Sequence, residues 1–527
     1  MATTEKVSAR PRARRRAGGR EARIELRSQK LSAETTPVRA GMRGGRYKAL
    51  DAAAMERIND AVMEVLETIG FADAIPTCVE ACTKIGAIYE DGRLKFPRAV
   101  VEDVIANAAR NITLYGQSEE FDIRPGGQRV YFGTAGAAVH VVDLETRDYR
   151  ESYLKDLYDA ARMVEHLDNI HFFQRPMVAR DMVDPRDLDV NTVYAAVSGT
   201  RKHVGTSFTL PEYVDETLDM LHRIAGGEDK WRARPFVSQS NCFVVPPLKF
   251  AEDACACLEA AVFGGMPVLL LSAGQAGATA PAPIVGAVVQ AVAEVLGGLC
   301  YVNALKPGHP ALFGTWPFVS DLRTGAMSGG SGEQALLTAA CGQMANYYDL
   351  PGGSAAGMAD AKLPDVQSGY EKGITDVMAG LAGTSMVYEA AGMHASLLGF
   401  CLESLIIDND MLGQCLRCVR GIEVTDEKLS VDVIRKVCTD GPGHYLGSDQ
   451  TLTLMQTEYI YPDIGNRMSP KEWGEAGRPD IIEVAIARKN AMLSEHFPQH
   501  ISPEIDAMLR ADFPIKLDRV VMQAGDG

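Results

Sequence analysis

From about residue 128 the chain alternates short β-rich runs with longer stretches whose apolar positions recur three and four apart, the spacing of a helix with one buried face. RVYFG (129–133) precedes a helical pattern at 151–166, NIHFFQ (169–174) one at 187–199, KHVGTSF (202–208) one at 212–225 and PFVSQSNCFVV (235–245) one at 249–263. MPVLLLSAG (266–274) is followed by 283–297, LCYVNALK (299–306) by 331–348, GSAAGMA (353–359) by 365–382 and GTSMVYEA (383–390) by 397–419. Eight strand–helix units in roughly 300 residues is the period that a closed (β/α)8 barrel requires. An open doubly wound sheet is the competing arrangement, but no GxGxxG follows the first strand, and GGSGE (329–333) lacks the lysine of a phosphate-binding loop. The expected fold class is therefore α/β, a (β/α)8 TIM barrel over residues 116–424.

Ahead of the barrel, MERINDAVMEVLETIG (55–70) and patterns at 75–86 and 98–109 predict a small N-terminal helical domain over 44–115. Residues 425–527 contain helical pieces such as PDIIEVAIARKNAML and predict a mostly helical C-terminal cap. Residues 1–43 form a basic flexible arm, densest in RPRARRRAGGREARIELRSQK (10–30), with few apolar anchors.

Composition narrows the function. Of 527 residues 46% are hydrophobic and 23% charged, as in an ordinary globular enzyme, and a formal charge of -16 argues against a general nucleic-acid binder, the arm apart. No stretch of about twenty apolar residues is free of charge, so no membrane span is predicted, and there is no signal-peptide pattern. Eleven cysteines without a secretory signal predict reduced thiols in the cytoplasm. Cys415 and Cys418 make a CxxC, and Cys255 and Cys257 a CxC, but both sit in helix-like apolar patterns that predict burial. With no HxH, HExxH or Cys–His cluster, no metal site is expected, and no GxSxG elbow is present.

In a barrel the chemistry gathers where strands run into the following loops. The polar residues predicted there are His171, Gln174, Arg175, Thr206, Ser207, Gln239, Asn241, Gln275, Asp360, Lys362, Glu389 and His394. Asp360 and Glu389 end adjacent predicted strands and form the expected catalytic pair, because neighbouring carboxylates attract a cation or shift each other's pKa. Lys362 either neutralises one of these acids or pairs at the surface, and Pro364 fits a helix start. Among these polar groups stand Phe172, Phe173, Phe243, Phe313, Trp316 and Tyr388. Aromatic faces hold quaternary ammonium groups, which have no N–H to donate, although alternation along a strand sends half of such rings to the core. The expected substrate-binding set is His171, Phe173, Arg175, Gln239, Asn241, Phe243, Gln275, Phe313, Trp316, Tyr388 and His394. A mouth with neither a metal set nor an activated nucleophile predicts that the reactive centre comes from the substrate or from a separate cofactor-bearing partner.

The segments GTAGAAVHVVD (133–143), FGTWPFVSDLRTGAMSGGSGE (313–333), DAKLPDVQSGYEK (360–372), VYEAAGM (387–393), IIDNDMLG (406–413) and RGIEV (420–424) resemble the trimethylamine methyltransferase family. So does HYLGSDQTL…EYIYPDIGNR, and the likeness runs from about residue 44 to the C-terminus. The resemblance implies a barrel that transfers a methyl group from a methylated amine to the Co(I) corrinoid (cobalamin) of a small partner protein. No cofactor is then tightly bound by the chain itself, and a homo-oligomer is expected. The family's archaeal trimethylamine enzyme carries pyrrolysine, which is not written in this sequence, and the resemblance to members lacking it implies a quaternary amine such as glycine betaine. Chemistry points the same way: a quaternary nitrogen already bears the charge that lets it leave as a neutral amine. The alternatives are a trimethylamine or other tertiary-amine methyltransferase, methyl transfer to tetrahydrofolate or another acceptor, and a betaine-binding protein without activity.

Overall fold

The computed structural model describes residue 32 and residues 35–524, so the basic stretch at 10–30 lies outside the described residues. The chain divides into two compact units, residues 40–420 with 462–527, and residues 1–39 with 421–461. All of the expected site residues lie in the larger unit.

The fold is α/β, built on a curled nine-stranded sheet. Eight strands run parallel: β1 (Arg129–Phe132), β2 (Phe173–Gln174), β3 (Val204–Thr206), β4 (Val237–Asn241), β5 (Val268–Ser272), β6 (Ala311–Thr315), β7 (Gly352–Ala355) and β8 (Met386–Tyr388). Neighbours in space are neighbours in sequence from β2 to β8, and β8 then pairs with β1. Between β1 and β2 a parallel bridge joins Gly133 to Phe172, and the His171 amide donates to the Phe132 carbonyl at 2.7 Å. The ninth strand, Met42–Arg43, adds antiparallel to β1.

Each parallel strand leads to a helix: α1 (Leu154–Glu165), α2 (Pro185–Gly199), α3 (Pro211–Ala225), α4 (Glu252–Phe263), α5 (Ile284–Leu305), α6 (Gly332–Tyr347), α7 (Val366–Ala382) and α8 (Leu402–Arg420). Local sequence sets their starts. Pro185 follows the cap Asp184, whose carboxylate accepts the Arg186 amide, and Ser331 caps α6 by accepting the Gln334 amide. Ahead of the sheet, Ala52–Glu64, Pro76–Lys84 and Arg98–Asn107 are helical, and Ile88–Glu90 pairs with Arg93–Lys95 as a hairpin that periodicity alone does not announce.

Two features differ from the sequence expectation. The sixth strand is not LCYVNALK, which lies in α5, but ALFGT, expected as loop. Gly297 and Gly298 read as a helix stop, yet they are contact points. A Cβ at Gly297 would stand 2.3 Å from the Phe71 ring, and one at Gly298 2.4 Å from Phe243. The helix after β7 starts at Val366 with Asp365 as its cap, accepting the Ser368 amide, so Pro364 precedes the cap.

Although α5 is long and apolar enough to cross a membrane, most of it is buried inside the protein. Its Glu294 accepts the Leu248 amide at 2.9 Å and the Ser272 hydroxyl at 2.5 Å.

Candidate active site

The strand ends define the site, and the register assigns the faces. Gly353 pairs with Met386, and Ala355 with Tyr388. A Cβ on Gly353 would fall 2.5 Å from Tyr388, and one on Gly133 2.3 Å from Phe172. Both rings therefore cross a glycine strand on the concave face of the sheet, where no side chain blocks them. The Phe172 and Tyr388 rings meet edge to face at 5.0 Å, and Trp316 lies tilted against Tyr388 at 5.0 Å. Trp316 is buried and its indole N–H has no partner. Such an aromatic wall offers ring faces suited to a small methylated cation, while the free indole N–H can serve only an acceptor.

Glu389 follows Tyr388 directly. It is 1% exposed, its Oε2 has no hydrogen-bond partner, and its φ of 66° places a non-glycine residue in the left-handed region. Burial pushes its carboxyl up to about 8. On the same mouth, Arg175 follows β2 with an unpartnered Nε, and burial lowers its guanidinium pKa, opposed by the charges of Asp189 and Cys242. Cys242, just past β4, is accessible to solvent. Burial raises its thiol pKa, the Arg175 charge lowers it and the Glu389 charge raises it again. Arg175, Cys242 and Glu389 thus share one electrostatic neighbourhood.

Asp360 and Lys362 have other partners. The Asp360 carboxylate accepts the Ser328 hydroxyl at 2.6 Å, the Gly329 amide at 2.7 Å and the Ser396 hydroxyl at 2.5 Å. It ties the loops after β6, β7 and β8 together, while Lys362 donates to the Asp360 backbone carbonyl at 2.6 Å and to no carboxylate.

The remaining expected residues divide by face. Phe173 alternates with Phe172 and so takes the opposite face. Phe243 packs on Gly298 of α5, and Phe313 against Tyr348 with ring centroids 6.1 Å apart, so both belong to the layer between sheet and helices. Asn241 donates to the Ala254 carbonyl of α4 at 2.9 Å, and Gln239, on the same face of β4, is fully buried with neither side-chain atom partnered. His171 lies at the start of β2, where its Nδ1 accepts the Phe132 amide at 2.9 Å, and burial with the Lys202 charge lowers its pKa to about 3. His394 bonds the Ser404 hydroxyl at 2.7 Å behind the β8 loop, and Gln275 accepts from Ser320 at 3.1 Å within a small sheet of loop residues.

The structure therefore brings Glu389, Arg175, Trp316 and Tyr388 together and adds two residues outside the expected set. Phe172 was signalled by its position but exchanged for its neighbour, since alternation cannot be phased over two residues. Cys242 was hidden by the general tendency of cysteines to be buried. Among the described residues, no group of three His, Cys, Asp or Glu is placed to hold a metal ion.

A model of the trimethylamine methyltransferase family (MTTB) matches residues 16–519, and the chain belongs to that family. It is 30% identical over 456 residues to trimethylamine methyltransferase MttB of Desulfitobacterium hafniense (strain DSM 10664 / DCB-2), covering 86% of this chain and 91% of that one. To the glycine betaine methyltransferase of Desulfitobacterium hafniense (strain Y51) it is 28% identical over 473 residues, covering 88% and 96%. The monomethylamine methyltransferase MtmB of Methanosarcina barkeri shares the fold with a TM-score of 0.50 at 12% sequence identity, covering 89% of this chain and 92% of that structure.

Proposed function

We propose that this protein takes a methyl group from a small methylated amine, trimethylamine or a similar tertiary amine ahead of glycine betaine, and passes it to the reduced corrinoid of a partner protein. The order of donors reverses the expectation from the missing pyrrolysine. It is supported by the relatives, among which the trimethylamine enzyme at 30% identity stands ahead of the betaine enzyme at 28%.

The observation that carries this reading is the buried, part-unpartnered carboxyl of Glu389, the residue that directly follows Tyr388 of the aromatic wall. With its pKa at about 8, Glu389 is a neutral acid at pH 7. A tertiary amine entering against the rings takes the Glu389 proton and becomes a trialkylammonium ion paired with the new carboxylate. The methyl carbon then passes to the acceptor while the C–N electron pair stays on nitrogen, which leaves as a neutral secondary amine. The rings and the surrounding burial exclude water and hold the cation in line. The partner's corrinoid supplies a Co(I) nucleophile; this chain binds no cofactor of its own in the reading. Asp360 acts as a loop tether, and the sheet is read as a closed eight-stranded barrel, supported by the Gly133–Phe172 bridge. A cytoplasmic setting suits a reduced acceptor.

One observation favours the betaine reading. The buried, unpartnered Nε–H of half-buried Arg175 is suited to donate to a substrate carboxylate. The deciding experiment mixes the pure protein with a reduced corrinoid protein and, separately, trimethylamine, glycine betaine and choline, following the corrinoid absorbance. Methylation with trimethylamine, reduced about 100-fold or more by Glu389→Gln, is the expected result. Methylation by betaine alone, lost in Arg175→Met, would move the assignment to the quaternary amine.

A further inference from the structure

Behind the loop that carries Glu389 lies a buried charged cluster that methyl transfer as described leaves unused. Lys372 on α7 and Asp408 on α8 form an ion pair at 2.6 Å, with side chains 1% and 4% exposed. The same Asp408 Oδ2 accepts the Gly392 amide at 2.8 Å. Asp376, one turn further along α7, is buried with neither carboxylate oxygen partnered. A Cβ on Gly357 would stand 2.5 Å from the Ala390 Cα and 2.7 Å from Asp376 Oδ2, so this carboxyl lies where the β7 and β8 loops cross. Burial raises the Asp376 pKa well above the ordinary carboxyl value, helped by Asp408 and opposed by Lys372.

What it grips is the segment that begins at Glu389. The Ala390 amide donates to the Gly133 carbonyl at 3.0 Å, Gly392 is held by Asp408, and the Ala395 and Ser396 amides donate to Ala361 and Ala359, each at 3.0 Å. The Ser396 hydroxyl reaches Asp360 at 2.5 Å. Glu389 has a φ of 66°, and Ala395, Ser396 and Leu397 follow as three consecutive left-handed non-glycine residues at 50°, 52° and 78°, conformations that persist only when their surroundings over-determine them. An apolar pair of the same volume would pack as well as a buried ion pair. What it cannot do is accept the Gly392 amide.

We infer that Lys372 and Asp408 are positioning residues that fix the 389–397 loop, and with it the Glu389 carboxyl at the end of β8. The inference rests on the role proposed for Glu389. Lys372→Met/Asp408→Leu removes both charges together with the acceptor for Gly392, while Lys372→Met/Asp408→Asn keeps an acceptor. The first is expected to speed hydrogen exchange in peptides spanning 389–397 and to lower kcat about tenfold or more; the second is expected to restore both. In a Glu389→Gln background the first variant should cost less than about twofold further, because its effect runs through Glu389, whereas a general structural defect would multiply. Equal losses in both backgrounds, or unchanged exchange at 389–397, overturn the assignment. Should the unaltered protein methylate no acceptor from any amine, the function fails by itself and the exchange measurement alone decides the anchor.

Discussion

At the scale of single residues, Glu389 combines a left-handed backbone with a buried carboxyl that prefers its proton. The consequence for stability has a definite sign. Between the ordinary carboxyl value near 4.5 and about 8, the folded protein keeps a proton that the unfolded chain releases, so rising pH withdraws stability across that window. The integrated effect is on the order of a few kcal/mol. Glu389→Gln should therefore melt progressively higher than the unaltered protein as pH rises from 5 to 9, and parallel melting curves would contradict the buried neutral acid. Glu389 was legible in the sequence because it closes a strand directly after an aromatic residue. The tethering by Asp360 was not: its hydroxyl partners Ser328 and Ser396 lie 32 and 36 residues away, and only the packing of three loops brings them together.

At the scale of elements, seven of the eight predicted strand runs contain or touch a strand of the parallel set, and the exception is instructive. LCYVNALK is apolar on all sides, which marks burial but does not distinguish a helix from a strand. The preceding glycine pair supplied a false boundary, because glycine marks close approach as readily as a turn. Gly297→Ala tests this directly. In an open helix the change would add about 1 kcal/mol of stability. Here the new methyl meets the Phe71 ring at 2.3 Å, and overpacking of this kind costs roughly 1–3 kcal/mol. Chemical denaturation should show a net loss; a gain would mean that α5 and the Phe71 ring repack freely.

At the scale of the molecule, the alternating pattern conveyed the α/β class and which residues end the strands, since both follow from periods of two and 3.6 residues. It could not convey the filling of the other end. There His171, His203 and His309 stand buried just before β2, β3 and β6, with pKa values pushed by burial to about 3, 4 and 4. These groups stay neutral in the folded protein while the unfolded chain takes up protons below about 6.5, so stability is full above that pH and is lost as pH falls toward 4. Buried carboxyls with raised pKa values, Glu389 among them, act in the opposite sense over part of this range, so each buried histidine steepens the fall of the melting temperature between pH 6.5 and 4.5 relative to a chain without it. His309→Gln should flatten that slope. The same packed floor has a kinetic meaning. Tyr131, His203, Leu269, Leu312 and Met386 are buried beneath the aromatic wall, so in the proposed reaction traffic to Glu389 runs through the loop end, where the proposed corrinoid partner would also present its metal. In the proposed reaction the amine boards before the partner docks, and its demethylated remnant departs only after the partner lifts away. Turnover then proceeds through an ordered ternary complex, and excess partner slows it by sealing an empty site.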